Sequence, residues 1–353
     1  MPLLLRRTKI TALLGLVALF VLARSAYASA TTPVIERPVS FQVTNTNESK
    51  LACSTDGGSY TVRGHLIGTK AELRSPRATT LYLHGLGLGE FFWNYKVVKG
   101  LDFAADLAER GHVSVTINRL GYQSSGKPQG LGSCIGGQAD IAHQIIGDLK
   151  SGKYRGSLTP KFKRVGLIGH SAGGQIAEVE GYSFGDAAAI GVLAYADQGF
   201  SPFQLELAAG AKAVCDAGGE PSNETSGPGG YAKLGQTKQQ GREAFFSSAS
   251  KKVQFETLNI LTANPCGDLA SYAAAPATDL ANLGAIKVPV LTVQGGKDAL
   301  FPVPAVKTQS TLFTGSSKVT YAELPKSGHA LTLESEHLKL VAVVAKFLTQ
   351  NQL

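Results

Sequence analysis

Apolar residues recur along this chain in two rhythms. Five short, almost unbroken apolar runs punctuate the body, at residues 81–83, 113–117, 165–168, 190–195 and 288–293. Glycine or polar turn residues bound each of them, and such runs are what strands buried on both faces require. A sixth run, 318–324, alternates more. Two earlier alternating stretches, 40–46 and 59–67, predict strands of an antiparallel start. Between the runs the spacing lengthens. Ile141, Ile145 and Leu149 repeat every four residues, and Leu338, Val341, Ala345 and Leu348 every three or four, which puts each set on one helix face. Strand and helix alternating in this way predict a mostly parallel α/β sheet. One interval breaks the rhythm, with 92 residues between Tyr195 and Val288. Roughly residues 200–283 therefore read as an insertion over the carboxyl edge of the sheet, where open α/β sheets place their binding loops. Phe245-Phe246 and two cysteines within it argue against a disordered linker.

The first thirty residues follow a different pattern. Arg6, Arg7 and Lys9 precede an uncharged, mostly apolar stretch at 10–22, and Ala26-Tyr27-Ala28 and Ala28-Ser29-Ala30 are A-x-A cleavage sites. This predicts a secretory signal over residues 1–30, since thirteen residues are too few to span ~30 Å of hydrocarbon. The expected layout is a signal at 1–30, a core at 31–199, the insertion at 200–283 and the rest of the core at 284–353. The formal net charge of +8 falls to +4 without the four basic residues of the leader (30 basic against 26 acidic), and no basic run remains. Nucleic-acid binding is thereby disfavoured. No later segment is apolar and long enough for stable membrane insertion.

Export changes the meaning of the four cysteines, Cys53, Cys134, Cys215 and Cys266. None forms a C-x-x-C pair, and an even number in an oxidising compartment predicts two disulfides with three possible connectivities. No histidines and acids stand at metal-ligand spacing, so no metal is expected. Asn47-Glu48-Ser49 and Asn223-Glu224-Thr225 are sequons for glycosylation.

The sharpest local signal is Gly169-His170-Ser171-Ala172-Gly173, which follows the apolar run 165–168 and precedes a helix-compatible run. A serine hydroxyl is a poor nucleophile and must project from a sharp turn to meet a base. Flanking glycines leave room for that turn, and the following helix N-terminus aims N–H groups at a developing anion. Further on, Gly295-Gly296-Lys297-Asp298 follows one apolar run and Ser327-Gly328-His329 follows another. His84-Gly85-Leu86-Gly87-Leu88-Gly89 follows an earlier one. Its G-x-G-x-G spacing does not fit the dinucleotide fingerprint.

At these residues the chain resembles the α/β-hydrolase superfamily, from about Ser40 to the C-terminus. The resemblance implies an eight-stranded, mostly parallel sheet with helices on both faces and a cap between strands six and seven. It also implies a catalytic triad of Ser171, Asp298 and His329, in the chain order of that fold. His329 would move the Ser171 proton, a role that suits imidazole as a class, and Asp298 would hold the imidazole tautomer. Asp197, after the fourth apolar run, is the rival acid with the poorer loop match. The family's H-G-x loop implies Leu86 as one oxyanion donor, with Ala172, directly after the nucleophile, as the other. Asn118 stands where the family's D-x-x-G-x-G-x-S turn usually has Asp, a position with a structural role. Ser171 argues against the epoxide and haloalkane chemistries of relatives that use an aspartate nucleophile.

The family's strand order, 1-2-4-3-5-6-7-8, brings the turn before strand two beside the loop after strand four. That implies the pairs Cys53–Cys134 and Cys215–Cys266. Phe91-Phe92-Trp93 reads either as a wall of the acyl pocket or as core packing, and His170 as a packing residue. The function expected is that of an exported serine hydrolase cleaving small carboxylic esters, with no cofactor. Amidase, thioesterase, acyltransferase and cofactor-free haloperoxidase chemistry run on the same residues, and a non-catalytic binding protein on the same fold is the alternative of another class. Oligomeric state is not legible.

Overall fold

The computed structural model describes residues 33–223 and 226–353. The expected signal at 1–30 lies outside them, as do Glu224 and Thr225 of the second sequon. Eleven strands run through the described residues: β1 (Val34–Thr44), β2 (Ser59–Thr69), β3 (Ala78–Leu83), β4 (Ser114–Asn118), β5 (Arg155–Gly156), β6 (Arg164–His170), β7 (Ile190–Leu193), β8 (Tyr231–Ala232), β9 (Asn264–Pro265), β10 (Val290–Gly295) and β11 (Val319–Leu324). Nine form one sheet in the order β11-β10-β7-β6-β3-β4-β2-β1-β5.

The strands predicted as continuous apolar runs form the parallel middle of this sheet. Every residue of β4, β7 and β10 is buried, as parallel strands covered on both faces must be. The alternating stretches become the antiparallel pair β1–β2, with β2 also antiparallel to β4. In β1 the side chains of Val39, Phe41 and Val43 point inward while Gln42 and Thr44 face solvent. The parallel edge β11 is partly exposed, in keeping with its weaker pattern.

Two expectations are corrected. The sheet has nine strands rather than eight, because Arg155 and Gly156 pair antiparallel with Ser40 and Val39 of β1. A two-residue strand of exposed residues carries no readable periodicity. Leu338 does not share a face with its supposed helix partners. In the helix His337–Gln350 it is 59% exposed, whereas Leu340, Val341, Val344, Phe347 and Leu348 are buried. The chain enters this helix so that 340 and 344, not 338, continue the buried row.

Between β7 and β10 the chain is folded throughout its described length. The helices Pro202–Asp216, Lys238–Phe245 and Lys251–Leu258 start at Ser201, Thr237 and Ser250, whose hydroxyls accept a first-turn N–H. Strands β8 and β9 pair antiparallel beside them, and the helices Cys266–Ala274 and Pro276–Asn282 lead back to the sheet. Pro at N1 and a serine cap make Pro202–Asp216 a well-signalled helix inside a region whose composition reads as loop.

Both disulfides join the partners that the strand order implied, Cys53 with Cys134 and Cys215 with Cys266. Cys134 is also the N-cap residue of the helix Ile135–Ser151, so the first bond anchors that helix to the turn entering β2. Each cross-link removes loop entropy from the unfolded chain, worth ~2–4 kcal/mol. Peptide mapping without reductant should recover these two pairs alone, and a Cys53–Cys215 or Cys134–Cys266 peptide would contradict the topology. Replacing Cys53 and Cys134 together by serine should lower stability in urea by about 2–4 kcal/mol.

Candidate active site

Strand β6 ends at His170, and the helix Ala172–Ser183 begins two residues later. Ser171 joins them with φ 54° and ψ −124°, a backbone conformation that side-chain-bearing residues seldom adopt. The surrounding packing holds it there. A Cβ on Gly169 would lie 1.8 Å from the Gly173 carbonyl oxygen, and one on Gly173 would lie 2.3 Å from that of Leu83. Both motif glycines are therefore demanded by the close approach of turn, helix and β3. The Ser171 N–H donates to the Leu193 carbonyl at 2.8 Å, tying the turn to β7.

The loop after β3 passes directly beside the serine. A Cβ on Gly85 would stand 2.8 Å from Ser171 Cβ, so only glycine lets the loop come this near. Leu86 follows, buried, and Gly87 takes a positive φ of 70°. Ala172 is the first residue of the helix, where N–H groups lack intrahelical acceptors.

From the other side come the loops after β10 and β11. His329 Nδ1 lies 2.9 Å from Asp298 Oδ2, with both side chains buried. Asp298 Oδ1 accepts from the N–H groups of Leu300 and Phe301 at 2.8 and 3.1 Å, which fixes the carboxylate's orientation. The His329 ring stacks on Phe301 and packs near Phe245. The rival acid, Asp197, is engaged elsewhere: it accepts from the Tyr195 hydroxyl at 2.7 Å, and its own N–H donates to Gln309 Oε1 at 2.6 Å. His170 is a packing residue, with its ring 4.2 Å from that of Phe92 and its Nε2 2.8 Å from the His329 carbonyl oxygen. Burial, with His329 close by, holds its pKa well below the usual imidazole range. Phe92 and Trp93 are fully buried among Tyr82, Phe103 and His170, so the aromatic cluster is core rather than pocket wall.

Beneath the glycine loop lies an ion pair that no sequence pattern marked. The Arg119 guanidinium and the Asp268 carboxylate meet at 3.2 Å, with side chains 1% and 0% exposed. Arg119 Nε donates to the His84 carbonyl at 2.9 Å, and its backbone N–H donates to His84 Nε2 at 3.1 Å. That second bond makes Nε2 the acceptor, so Nδ1 carries the proton facing the Gly85 carbonyl 2.9 Å away. Burial and the adjacent guanidinium keep His84 neutral by lowering its pKa well below the ordinary value. Asp268 also accepts from Tyr122, Ser133 and Gln138. Burial raises its pKa, and Arg119 with these donors opposes the rise. Asn118, in place of the usual acid, accepts from the Glu90 N–H at 2.8 Å and braces the turn.

The segment between β7 and β10 touches every loop of the site. Asn264 Oδ1 accepts from the Gly87 N–H at 2.5 Å, and the Thr262 N–H donates to the Gly87 carbonyl at 2.9 Å. The Ser201 hydroxyl donates to the Ala299 carbonyl at 2.6 Å, in the acid loop. The Ala330 N–H donates to the Phe245 carbonyl at 2.8 Å, in the histidine loop. Glu334 reinforces that contact by accepting from the N–H groups of Ser247, Ser248 and Gly328 at 2.7, 2.6 and 3.0 Å. The Tyr272 phenol, close to Ser171, is buried and accepts from Gln204 Nε2 at 3.1 Å. Ser171 is consequently only 6% exposed. A cleft of about 710 Å³ is lined by residues such as Gln123, Glu220 and Asn259 rather than by the serine.

Behind the serine helix, Glu178, Asp197 and Asp279 form a buried acidic cluster. Burial, then mutual repulsion, pushes Glu178 and Asp197 well above the carboxylate range, and burial pushes Asp279 up to about 6.

A sequence model described as the alpha/beta hydrolase family matches residues 81–343. No curated protein sequence matches significantly. Solved structures do, at low identity. A thermophilic esterase from Thermogutta terrifontis superposes with a TM-score of 0.62 at 16% identity, covering 88% of this chain and 99% of its own. An esterase from Exiguobacterium antarcticum gives 0.58 at 17%, covering 86% and 98%. A bromoperoxidase from Bacillus anthracis gives 0.57 at 17%, covering 88% and 99%. Likeness at these identities is a likeness of fold.

Two outcomes follow from the buried charges. Breaking the ion pair from one side, by Arg119→Met or Asp268→Leu, strands a buried charge and should cost about 3–5 kcal/mol, while the double replacement should cost less. Urea melts of the three variants measure this. Carboxyls whose folded pKa is raised lend stability below their unfolded pKa, near 4, and lose it as pH rises through the folded value. Stability should therefore fall as pH rises from 4 through about 6, the Asp279 value, and beyond. Glu178→Gln should flatten that fall, and an unchanged slope would show the cluster to be inert.

Proposed function

Because the chain belongs to the alpha/beta hydrolase family, we propose that it is an exported serine hydrolase that cleaves carboxylic esters through an acyl-enzyme on Ser171. The observation that carries this reading is the buried His329–Asp298 contact of 2.9 Å, supported by the positive φ of Ser171 and by its neighbour His170, whose Nε2 lies 2.8 Å from the His329 carbonyl oxygen. With Asp298 on Nδ1–H, His329 presents Nε2 as the basic nitrogen. It takes the Ser171 proton as the serine oxygen attacks the ester carbonyl. The Leu86 and Ala172 N–H groups receive the negative charge that develops on the carbonyl oxygen. Collapse breaks the C–O bond, and His329 returns the proton to the leaving alkoxide. Water then attacks the acyl-enzyme with His329 as base, releasing the carboxylic acid and restoring Ser171. No cofactor enters this sequence.

Residues 200–283 act in this reading as the cap, which supports small esters as substrates: Tyr272, Phe245 and the glycine loop leave Ser171 nearly enclosed. Two disulfides and the leader-like first thirty residues support export. The same residues carry acyl transfer or cofactor-free haloperoxidation, and the likeness to a bromoperoxidase makes the latter the second reading.

A fluorophosphonate probe, which modifies only activated serines, should label the mature protein stoichiometrically on Ser171. Label should be lost in Ser171→Ala and in His329→Ala. Hydrolysis of a short-chain ester should drop about 10⁶-fold in Ser171→Ala and about 10⁴-fold in Asp298→Asn. Absence of label on folded, disulfide-bonded protein would refute catalysis and favour a binding role. Label with bromination but no ester turnover would favour the second reading.

A further inference from the structure

At the far end of the serine helix, three side chains from separate stretches converge. Glu180 is in the last turns of Ala172–Ser183, His143 is on the helix Ile135–Ser151, and Asp186 is in the turn leading to β7. The His143 nitrogen and one oxygen of each acid all lie within 4.8 Å of one another. His143 Nδ1 and Asp186 Oδ2 stand 3.1 Å apart without the alignment of a hydrogen bond. Glu180 is fully buried, yet neither of its carboxylate oxygens has a hydrogen-bond partner. The Asp186 N–H is near it but falls short of hydrogen-bond geometry. Asp186 Oδ1 is likewise without a partner. A buried carboxylate left so is costly unless something positive or protic meets it. Lys150 only skirts the group, its ammonium 3.8 Å from Asp186 Oδ2 and hydrogen-bonded to the Asp186 carbonyl.

We propose that His143, Glu180 and Asp186 bind one divalent transition-metal cation, with zinc the best fit. One imidazole nitrogen and two carboxylate oxygens form a mixed N/O set that suits zinc, and the two acids balance its charge. Tetrahedral ligands at ~2.1 Å from zinc are ~3.4 Å apart; His143 Nδ1 and Asp186 Oδ2 stand 3.1 Å apart, and Glu180 brings an oxygen within 4.8 Å of both. The His143 and Asp186 side chains are 41% and 26% exposed, which opens the group to solvent on one side for entry of the ion and a fourth, water ligand. Glu180 lies nine residues past Ser171, ~13 Å along the helix, so the role is structural. The ion ties the serine helix to its neighbour Ile135–Ser151. His143 is remote in sequence from the two acids, and the set has no metal-binding spacing, which is why none was expected. The competing occupant is a proton shared by Glu180 and Asp186, in line with a Glu180 pKa pushed well up by burial and by Asp186. That arrangement leaves His143 with its stacking on Phe184 and its approach to Asp186, but with Nδ1 lacking a hydrogen-bond partner.

The test is calorimetric titration of the mature, disulfide-bonded protein with zinc chloride at pH 7.5, after chelator treatment and desalting, together with thermal melting. The expected result is one zinc per chain, a higher Tm with zinc, and affinity lowered about tenfold or more in both His143→Ala and Glu180→Gln. His143 is on the surface, so its variant carries the test if Glu180→Gln fails to fold. No saturable uptake by the wild-type protein overturns the proposal, and so does zinc binding equally tight in His143→Ala. A metal-free Glu180→Gln protein as stable as wild type, with no zinc uptake by either, would identify the shared proton instead.

Discussion

A guanidinium with almost no access to water needs partners for its charge, and Arg119 finds them in the parts from which the site is assembled. Its backbone and side chain both grip His84, the first residue of the glycine loop. Its charge meets Asp268, which comes from the insertion and also gathers Tyr122, Ser133 and Gln138. The arginine thus connects the loop beside Ser171, the turn after β4 and the helix Cys266–Ala274. A mispositioned insertion would leave a charge unpaired in the interior, a penalty of several kcal/mol. Correct placement of the insertion and correct placement of the glycine loop are therefore one event.

The same logic extends around the rim. Asn264 and Ser201 reach from the insertion to the backbone of the glycine and acid loops, and Glu334 accepts from Ser247 of the insertion and from Gly328 of the histidine loop. These loops carry the residues assigned to chemistry, while the sheet below supplies only their starting points. Precision at the site comes from hydrogen bonds that cross between the core and the insertion. Divergence of substrate choice in such a fold is then expected through the insertion, where Tyr272 and Phe245 face the serine and histidine.

Local chemistry was legible in the sequence and long-range chemistry was not. The turn at Ser171 is announced by its own neighbours, because the glycines that allow it are adjacent in the chain. The buried runs that became β3, β4, β6, β7 and β10 are equally self-announcing. Arg119 and Asp268, 149 residues apart, bear no mark of each other. Nor do Glu180 and His143, whose meeting depends on how two helices cross. Leu338 shows the limit from the other side: its spacing was right for a helix face, yet the helix presents Leu340 and Val344 to the core. Spacing defines a face only relative to a start that packing chooses. The two-residue strand Arg155–Gly156 owes its existence to a free edge of β1 rather than to its own residues.

The bond between Cys215 and Cys266 has a further consequence wherever the chain meets a protease. It closes a ring of chain with 51 positions of sequence separation, and that ring contains the helices Lys238–Phe245 and Lys251–Leu258. A single cut anywhere inside the ring divides the polypeptide but not the molecule. Both fragments stay joined through the disulfide, and the contacts of Asn264 with Gly87 and of Ser247 with Glu334 tie the ring itself to the core. Nicked and intact forms would then migrate together until reductant is added, and the wound would leave the serine and its partners joined.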